Sequence, residues 1–560
     1  MTEFLTSRNF AAGIEDFENL IRRKLYVDKT SFLEDLIHCA EVLQMLRPRG
    51  FGKTLSMSML ASFLEMNYQH PEDRSRPERL FKDLAVFKNK AFCDEYLGRF
   101  PVIMISLKSV KGKDFPEAMH AMMRVLGSLF KKFAFLADSD KQCDGLRISL
   151  KETIEICYSD SFDLKDRDSM ISAVSIAKTS LLYLSEMLRT EYNRRAFIIV
   201  DGYDDPLEAA AKNGYYPEML DVIAGMLETA LKTNDHLETG FVTGILHISF
   251  QSIHSGFNNY DEYTAEDRSF ARFMGFTEKE TADLLKSLGL ENRLQDVIDW
   301  YGGYNFAGNE MLCPGSVMKF LSRASDPTHN PAAFQPQCFR ANSRDNDIIE
   351  ISIRQSPENG LERLQHLLEG KTEEIALREF TFYPDITSDT DFDTIATLML
   401  NTGYLAAAKD AMPSDKYRSV VRIPNKEILE RFSWKAEMIF SAGNPEWLEK
   451  AIALRNALLS EDADQAHSIM TAMLRRFVSL HDMENKAFYQ NFMTKALGIT
   501  SGSPHDLAFG SAGDDGGFDL VIKDNDSRSA VIIECRISKT AKLRPPSGKR
   551  NVWRLLYILK

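Results

Sequence analysis

The sequence predicts an α/β protein: a parallel sheet covered by helices on both faces, a helical lid and connector, and a small α/β unit near the C-terminus. Three observations predict it. The first is a strand, a glycine-containing loop and a helix at residues 41–60. The second is a series of continuous apolar runs of strand length, alternating with helical patterns up to about residue 245. The third is a pair of apolar runs near the C-terminus that flank turn residues and read as an antiparallel hairpin.

The first element is Glu41-Val-Leu-Gln-Met-Leu-Arg-Pro-Arg-Gly-Phe-Gly-Lys-Thr54, followed by Leu55-Ser-Met-Ser-Met-Leu60. This is the layout of a phosphate-binding loop, in which successive backbone N–H groups and a helix N-terminus face the phosphates. Arg49, Gly50, Phe51, Gly52, Lys53 and Thr54 are its candidate nucleotide-binding residues, with Lys53 for the β- and γ-oxygens and the Thr54 hydroxyl for Mg²⁺. Arg47 stands where the common G-x-x-x-x-G-K-S/T pattern has its first glycine. A charged surface turn is the alternative for a bare Gly-Lys-Thr.

Such a loop needs a carboxylate from a neighbouring strand to steady the metal. Ala196-Phe-Ile-Ile-Val200 is apolar throughout, as a strand buried on both faces should be, and it ends at Asp201. Asp201 is the second metal-site candidate, with helix capping near Pro206 as the alternative. Phe100–Ser106 and Glu238–Ile245 read as further buried strands, separated by helical patterns such as Ser180–Tyr192 and Pro217–Lys232. Thr243, near the end of its strand, is placed to sense a γ-phosphate; a satisfied core threonine is an equal reading.

A chain of 560 residues exceeds one core and predicts three or four modules. The net charge of −13 excludes a protein that coats nucleic acid through bulk charge, though not local basic patches. The seven cysteines are scattered, with no C-x-x-C and no histidine cluster, so neither zinc nor a disulfide framework is expected. No signal-peptide core or membrane-length apolar run is present, which predicts a reducing, cytoplasmic protein without a membrane partner.

With these residues in hand the chain resembles the AAA-ATPase-like family that carries a C-terminal PD-(D/E)XK nuclease-like domain. Gly13-Ile-Glu-Asp-Phe17, Tyr26-Val-Asp-Lys-Thr30, Arg47-Pro-Arg-Gly-Phe-Gly-Lys-Thr54 and Val200-Asp-Gly-Tyr-Asp-Asp-Pro-Leu207 match its motifs in order. So do Leu231–Asn234, Thr243–Leu246, Ser255–Asn259, Phe276–Glu280, Trp300–Tyr304, Ile423–Lys426 and Phe488-Tyr489. In that family the leading Arg47 is ordinary. The resemblance implies a P-loop NTPase core that binds ATP and Mg²⁺. It also exposes departures: Gly202 replaces the acidic residue expected to polarise water, His247 replaces an arginine, and Gly302 and Gly315 replace larger residues. Loss of a positioned base costs about 10²–10⁴ in rate, so binding is expected to outlast hydrolysis.

At the C-terminal end, Gly517–Ile522 and Ala530–Arg536 flank Lys523-Asp-Asn-Asp-Ser-Arg528. A turn near Asn525 and Asp526 sets Asp519 beside Glu534 and Arg536 on one face. Two carboxylates and a cation suit Mg²⁺-assisted hydrolysis of a phosphodiester, and the set resembles the D…E-x-K arrangement of the nuclease family with Arg536 for lysine. A polar, solvated hairpin is the plainer reading. After Glu534 the chain holds basic residues and no acidic ones, which suits contact with nucleic-acid phosphates or a solvated tail. The expected organisation is a nucleotide-binding domain at 1–245, a helical lid and sensor region at 246–345, a helical connector at 346–475 and a restriction-endonuclease-like α/β domain at 476–560, with linkers near Pro327–Pro336 and Thr500–Gly517. Homo-oligomerisation is compatible with this organisation.

Overall fold

The computed structural model describes residues 13–23, 26–159, 163–232, 234–246, 260–325, 334–339, 348–349, 352, 356, 358–378, 390–409, 414–415, 417–439, 445–460, 462–477, 505–509, 520–524 and 529–533. It divides into two compact units. The first comprises residues 1–339, 375–387 and 396–426, and the second 340–374, 388–395 and 427–560.

The first unit is built on five parallel strands: β1 (Val42–Leu46), β2 (Val102–Ser106), β3 (Ala196–Asp201), β4 (Leu237–Gly244) and β5 (Tyr260–Tyr263). Their order is β2-β3-β4-β1-β5. Four are the strands expected from the apolar runs; β5, a polar Tyr-Asp-Glu-Tyr segment, carries no such run and is added at the edge by pairing with β1. Every residue of β1 and β3 is buried, as central strands of a doubly covered sheet must be. The register aligns Ser106 with Asp201 and Asp201 with Thr243, so three polar residues lie side by side at the C-terminal strand ends.

The helices of this unit include α1 (Phe17–Arg22), α2 (Leu33–His38), α3 (Lys53–Leu64), α4 (Ser75–Phe81), α5 (Lys90–Tyr96), α6 (Phe115–Lys132), α7 (Asp144–Tyr158), α8 (Arg167–Tyr192), α9 (Asp205–Asn213) and α10 (Tyr216–Leu231). Side-chain caps start several of them: Asp114 accepts from the Glu117 N–H at 2.9 Å, and Asp166 from the Ser169 N–H at 3.0 Å. One core joins α6, α7, α8 and α10 to one face of the sheet. The other face packs on α2, α3, α4 and α5.

Beyond residue 260, where mainly helices were expected, a small antiparallel sheet of β6 (Phe276–Thr277), β7 (Tyr304–Phe306) and β8 (Asn309–Leu312) accompanies α11 (Glu278–Ser287), α12 (Leu294–Tyr301) and α13 (Pro314–Ala324). Helix α11 starts with a reciprocal capping box between Thr277 and Glu280. Two separated sequence motifs meet here: Asn425 Nδ2 donates to the Gly302 carbonyl at 2.7 Å, and Lys426 Nζ lies 3.0 Å from Asp299.

In the second unit, α14 (Glu358–Leu368) carries Arg363, which pairs with Glu373 at 3.1 Å and Asp393 at 2.7 Å. Two further helices, Pro445–Leu459 and Ala463–Phe477, precede an antiparallel sheet of strands His505–Phe509, Leu520–Asp524 and Ser529–Ile533. The expected hairpin is present, with Asp524 opposite Ser529 and Leu520 opposite Ile533. Its companion strand His505–Phe509 lies within a stretch expected to be loop. Asp519, Glu534, Arg536 and the basic stretch after them lie outside the described residues, as do His247, Ser255–Asn259, Phe488 and Tyr489.

Candidate functional site

The loop between β1 and α3 turns through Gly50 at φ 83° and Gly52 at φ 86°, and Gly52 caps α3. Ser56 N–H reaches the Gly52 carbonyl at 2.9 Å, so the helix is bonded from its first turn. The loop is anchored from both sides. Phe51 is buried, with its ring 4.9 Å from that of Tyr304 and 5.0 Å from that of Phe306. Gly315 N–H, at the start of α13, donates to the Gly50 carbonyl at 3.0 Å.

Arg47 is a structural strut. Its buried guanidinium donates to the carbonyls of Leu46 at 2.7 Å, Tyr263 at 3.1 Å and Phe270 at 3.0 Å. Burial lowers its pKa to about 10, and the Phe306 ring lies 5.5 Å away. The position that a first glycine would hold therefore ties the loop to β5 and to the segment that follows it. Arg49 pairs with Glu208 on α9 and lies 4.0 Å from Asp205.

Lys53 is buried, and its ammonium donates to the Arg47 carbonyl at 2.8 Å and the Pro48 carbonyl at 3.1 Å. Burial pushes its pKa down to about 8, against the opposing pull of Asp204. The side chain thus rests on its own loop, two of whose carbonyls hold it at the base of the helix N-terminus.

Asp201 is fully buried and collects three hydroxyls. Oδ2 accepts from Thr54 Oγ1 at 2.9 Å and Ser106 Oγ at 3.2 Å, and Oδ1 from Thr243 Oγ1 at 3.0 Å. Capping of α9 is not its role: Asp204 occupies that N-cap position and makes no side-chain cap bond. Thr243 is itself fully buried, so its hydroxyl is engaged with Asp201. The carboxylate and the Thr54 and Ser106 hydroxyls are hard oxygen donors suited to Mg²⁺. A cation already sits among them: Lys108 Nζ contacts Thr54 Oγ1 and lies 3.4 Å from Asp201 Oδ2.

Of these groups Thr54 and Lys108, together with Lys53, line a cavity of about 370 Å³. Arg49, Lys53, Thr54, Ser56 and Lys108 are among its polar lining residues, and Ile14, Tyr26, Phe276 and Met318 among its apolar ones. That size and mixed lining suit a small ligand with a charged and an apolar end. Phe17 holds the N-terminal segment there, its N–H donating to Ser58 Oγ of α3 at 3.0 Å and its ring stacking 4.9 Å from Phe81. Lys29, also in the lining, pairs with Glu280 at 2.7 Å and donates to the Arg272 carbonyl at 2.9 Å. Glu15, Lys29 and Glu280 lie within motifs of the resemblance but carry no site expectation of their own in the sequence, and neither do Ser106 and Lys108. The one signal for the last two was the Ser106-Leu-Lys108 step at the end of a recognised strand.

Position 202 is glycine at φ 68°. A Cβ there would meet Asp205 Oδ2 at 2.7 Å and Lys108 Cγ at 2.8 Å. Asp204 is buried, and its Oδ2 accepts from the N–H groups of Ile245 at 2.8 Å and Leu246 at 2.9 Å, tying the exit of β3 to the exit of β4. Burial, and then Asp205, raise its pKa to about 6.

Comparison with known proteins agrees with this part of the chain. Over most of its length the chain is similar to an "Uncharacterized protein in vnfD 5'region" of Azotobacter chroococcum mcd 1, 22% identical over 475 residues, 84% of this chain and 77% of the relative. Residues 11–254 match the family model described as "Predicted AAA-ATPase", a span that holds the Gly52–Thr54 loop, Asp201 and Thr243 and supports a nucleotide-binding, ATPase-like function for it.

Proposed function

We propose that this chain binds ATP with Mg²⁺ in the cavity beside α3, and that its nucleotide state controls the C-terminal nuclease-like region. The observation that carries the nucleotide reading is the alignment of Ser106, Asp201 and Thr243 across three strand ends, with Thr54 bonded to Asp201. In this reading the loop N–H groups and the α3 N-terminus receive the phosphates, and Lys53 leaves the Arg47 and Pro48 carbonyls to reach them. Thr54 and Asp201 hold Mg²⁺, which neutralises phosphate charge when bound. The nuclease part rests on the resemblance and on Asp519, Glu534 and Arg536.

A second reading is a nucleotide-binding switch or interaction protein without turnover. Gly202 favours it, because no carboxylate stands at the position expected to orient water, and a positioned base is worth about 10²–10⁴ in rate. Both readings require binding. ATP with Mg²⁺ is expected to raise the melting temperature of the wild-type chain by the equivalent of about 2.7 kcal/mol at one hundred times Kd. Lys53→Ala should abolish that shift; a shift that persists in the folded variant removes Lys53 from the site. Phosphate release that depends on Lys53 separates the enzyme from the switch.

A further inference from the structure

We propose that Lys108 is a tethered cation that competes with a divalent metal ion for the oxygens of Thr54, Asp201 and Glu15, so that metal binds there only when the lysine swings out. The proposal rests on the reading of Thr54 and Asp201 as metal ligands and adds to it a competitor within the chain.

Lys108 follows β2 by two residues. Leu107 N–H donates to the Asp201 carbonyl at 2.9 Å and Val110 N–H to the Leu107 carbonyl at 2.9 Å, which fixes the backbone of this turn over the strand ends. From there the side chain runs to Thr54 Oγ1, with Asp201 Oδ2 at 3.4 Å and Glu15 Oε1 at 3.4 Å. One hydroxyl and two carboxylates are a donor set that a hard divalent ion takes equally well. The other groups bonded to the Asp201 carboxylate are neutral hydroxyls, those of Ser106 and Thr243, while the Lys53 ammonium, which also feels the Asp201 charge, is hydrogen-bonded to its own loop. A fully buried carboxylate calls for a paired cation, and Lys108 is the ammonium in contact range. Two cations cannot pack against the same oxygens without repulsion and overlap, so one must leave when the other arrives.

An independent feature clears the space that Lys108 uses. The Cγ of the lysine passes where a Cβ on residue 202 would stand, 2.8 Å from that point. A side chain at 202 and the present course of Lys108 exclude one another. Gly202, besides lacking a carboxylate, therefore lets the lysine lie across Asp201. Thr54 and Lys108 line the cavity while Asp201 does not.

The test uses the full chain without nucleotide and Mn²⁺ as the probe, with free Mn²⁺ counted by electron paramagnetic resonance. Lys108→Met is expected to bind Mn²⁺ at least ten-fold more tightly than wild type, Lys108→Arg no more tightly, and Lys108→Met with Asp201→Asn to lose the gain. Equal or weaker binding by Lys108→Met overturns the proposal, as does a gain that survives Asp201→Asn. In the wild-type chain, acetylation of Lys108 followed by mass spectrometry should rise several-fold when Mn²⁺ saturates the site; unchanged labelling overturns the proposal without any variant. ATP–Mg²⁺ stabilisation of wild type, measured alongside, distinguishes the failures. If it is present while Mn²⁺ affinity ignores Lys108, the competition is wrong and nucleotide binding stands; if it is absent, the nucleotide reading itself falls.

Discussion

At residue 202 the backbone sits at φ 68°, and a Cβ there would press on Asp205 Oδ2 and Lys108 Cγ. Gly202→Glu, the substitution that would supply the missing carboxylate, is therefore expected to cost about 1–3 kcal/mol from backbone strain alone, besides displacing Lys108. A melting curve reads this directly, and an undiminished melting temperature would refute it. Two residues on, the fold raises the Asp204 pKa to about 6, above the ordinary 3.8. Between those values the unfolded chain has already lost the proton that the folded chain keeps, so stability falls as pH rises from about 4 to about 6 and then levels. The difference amounts to about 3 kcal/mol. Asp204→Asn, whose side-chain oxygen can accept the same N–H bonds, should gain stability relative to wild type across that window. Parallel melting curves for the two proteins would contradict it.

The Gly50–Thr54 loop is ordered as an element because α3 and its anchors hold it, not because of its glycines alone. Phe51 is the main apolar anchor, packed between the rings of Tyr304 and Phe306. Phe51→Ala is expected to destabilise the first unit by about 3–5 kcal/mol and to weaken ATP binding through loss of loop order; calorimetry reports both. Binding that stays at the wild-type level would show that Arg47 and the Gly315–Gly50 bond suffice. Strands β1 to β4 were legible in the sequence because strands buried on both faces read as short, nearly continuous apolar runs, alternating here with helical patterns. Strand β5 was not, since an edge strand with one paired side tolerates polar residues and leaves no run to read. The role of Arg47 was equally hidden: two of its three carbonyl partners come from residues 263 and 270, more than 200 positions away.

On the scale of the whole molecule, the acidic balance of −13 and the basic C-terminal stretch set opposite charges on different parts of one chain. Under the proposal of a C-terminal nuclease function, Mg²⁺-dependent cleavage of DNA or RNA by the full chain should disappear in Asp519→Ala and in Glu534→Ala. Cleavage that survives both variants removes these residues from the site. The sequence by itself determined the α/β class, the Gly52-Lys53-Thr54 loop and its acidic strand, and the C-terminal hairpin, because each is written in local periodicity and turn chemistry. Only the tertiary structure decided what each charge in the site faces: Lys53 on its own loop, Arg47 on distant carbonyls, and Lys108 on the oxygens of Thr54, Asp201 and Glu15. Those pairings follow from strand order and register, which bring together residues that no local pattern connects.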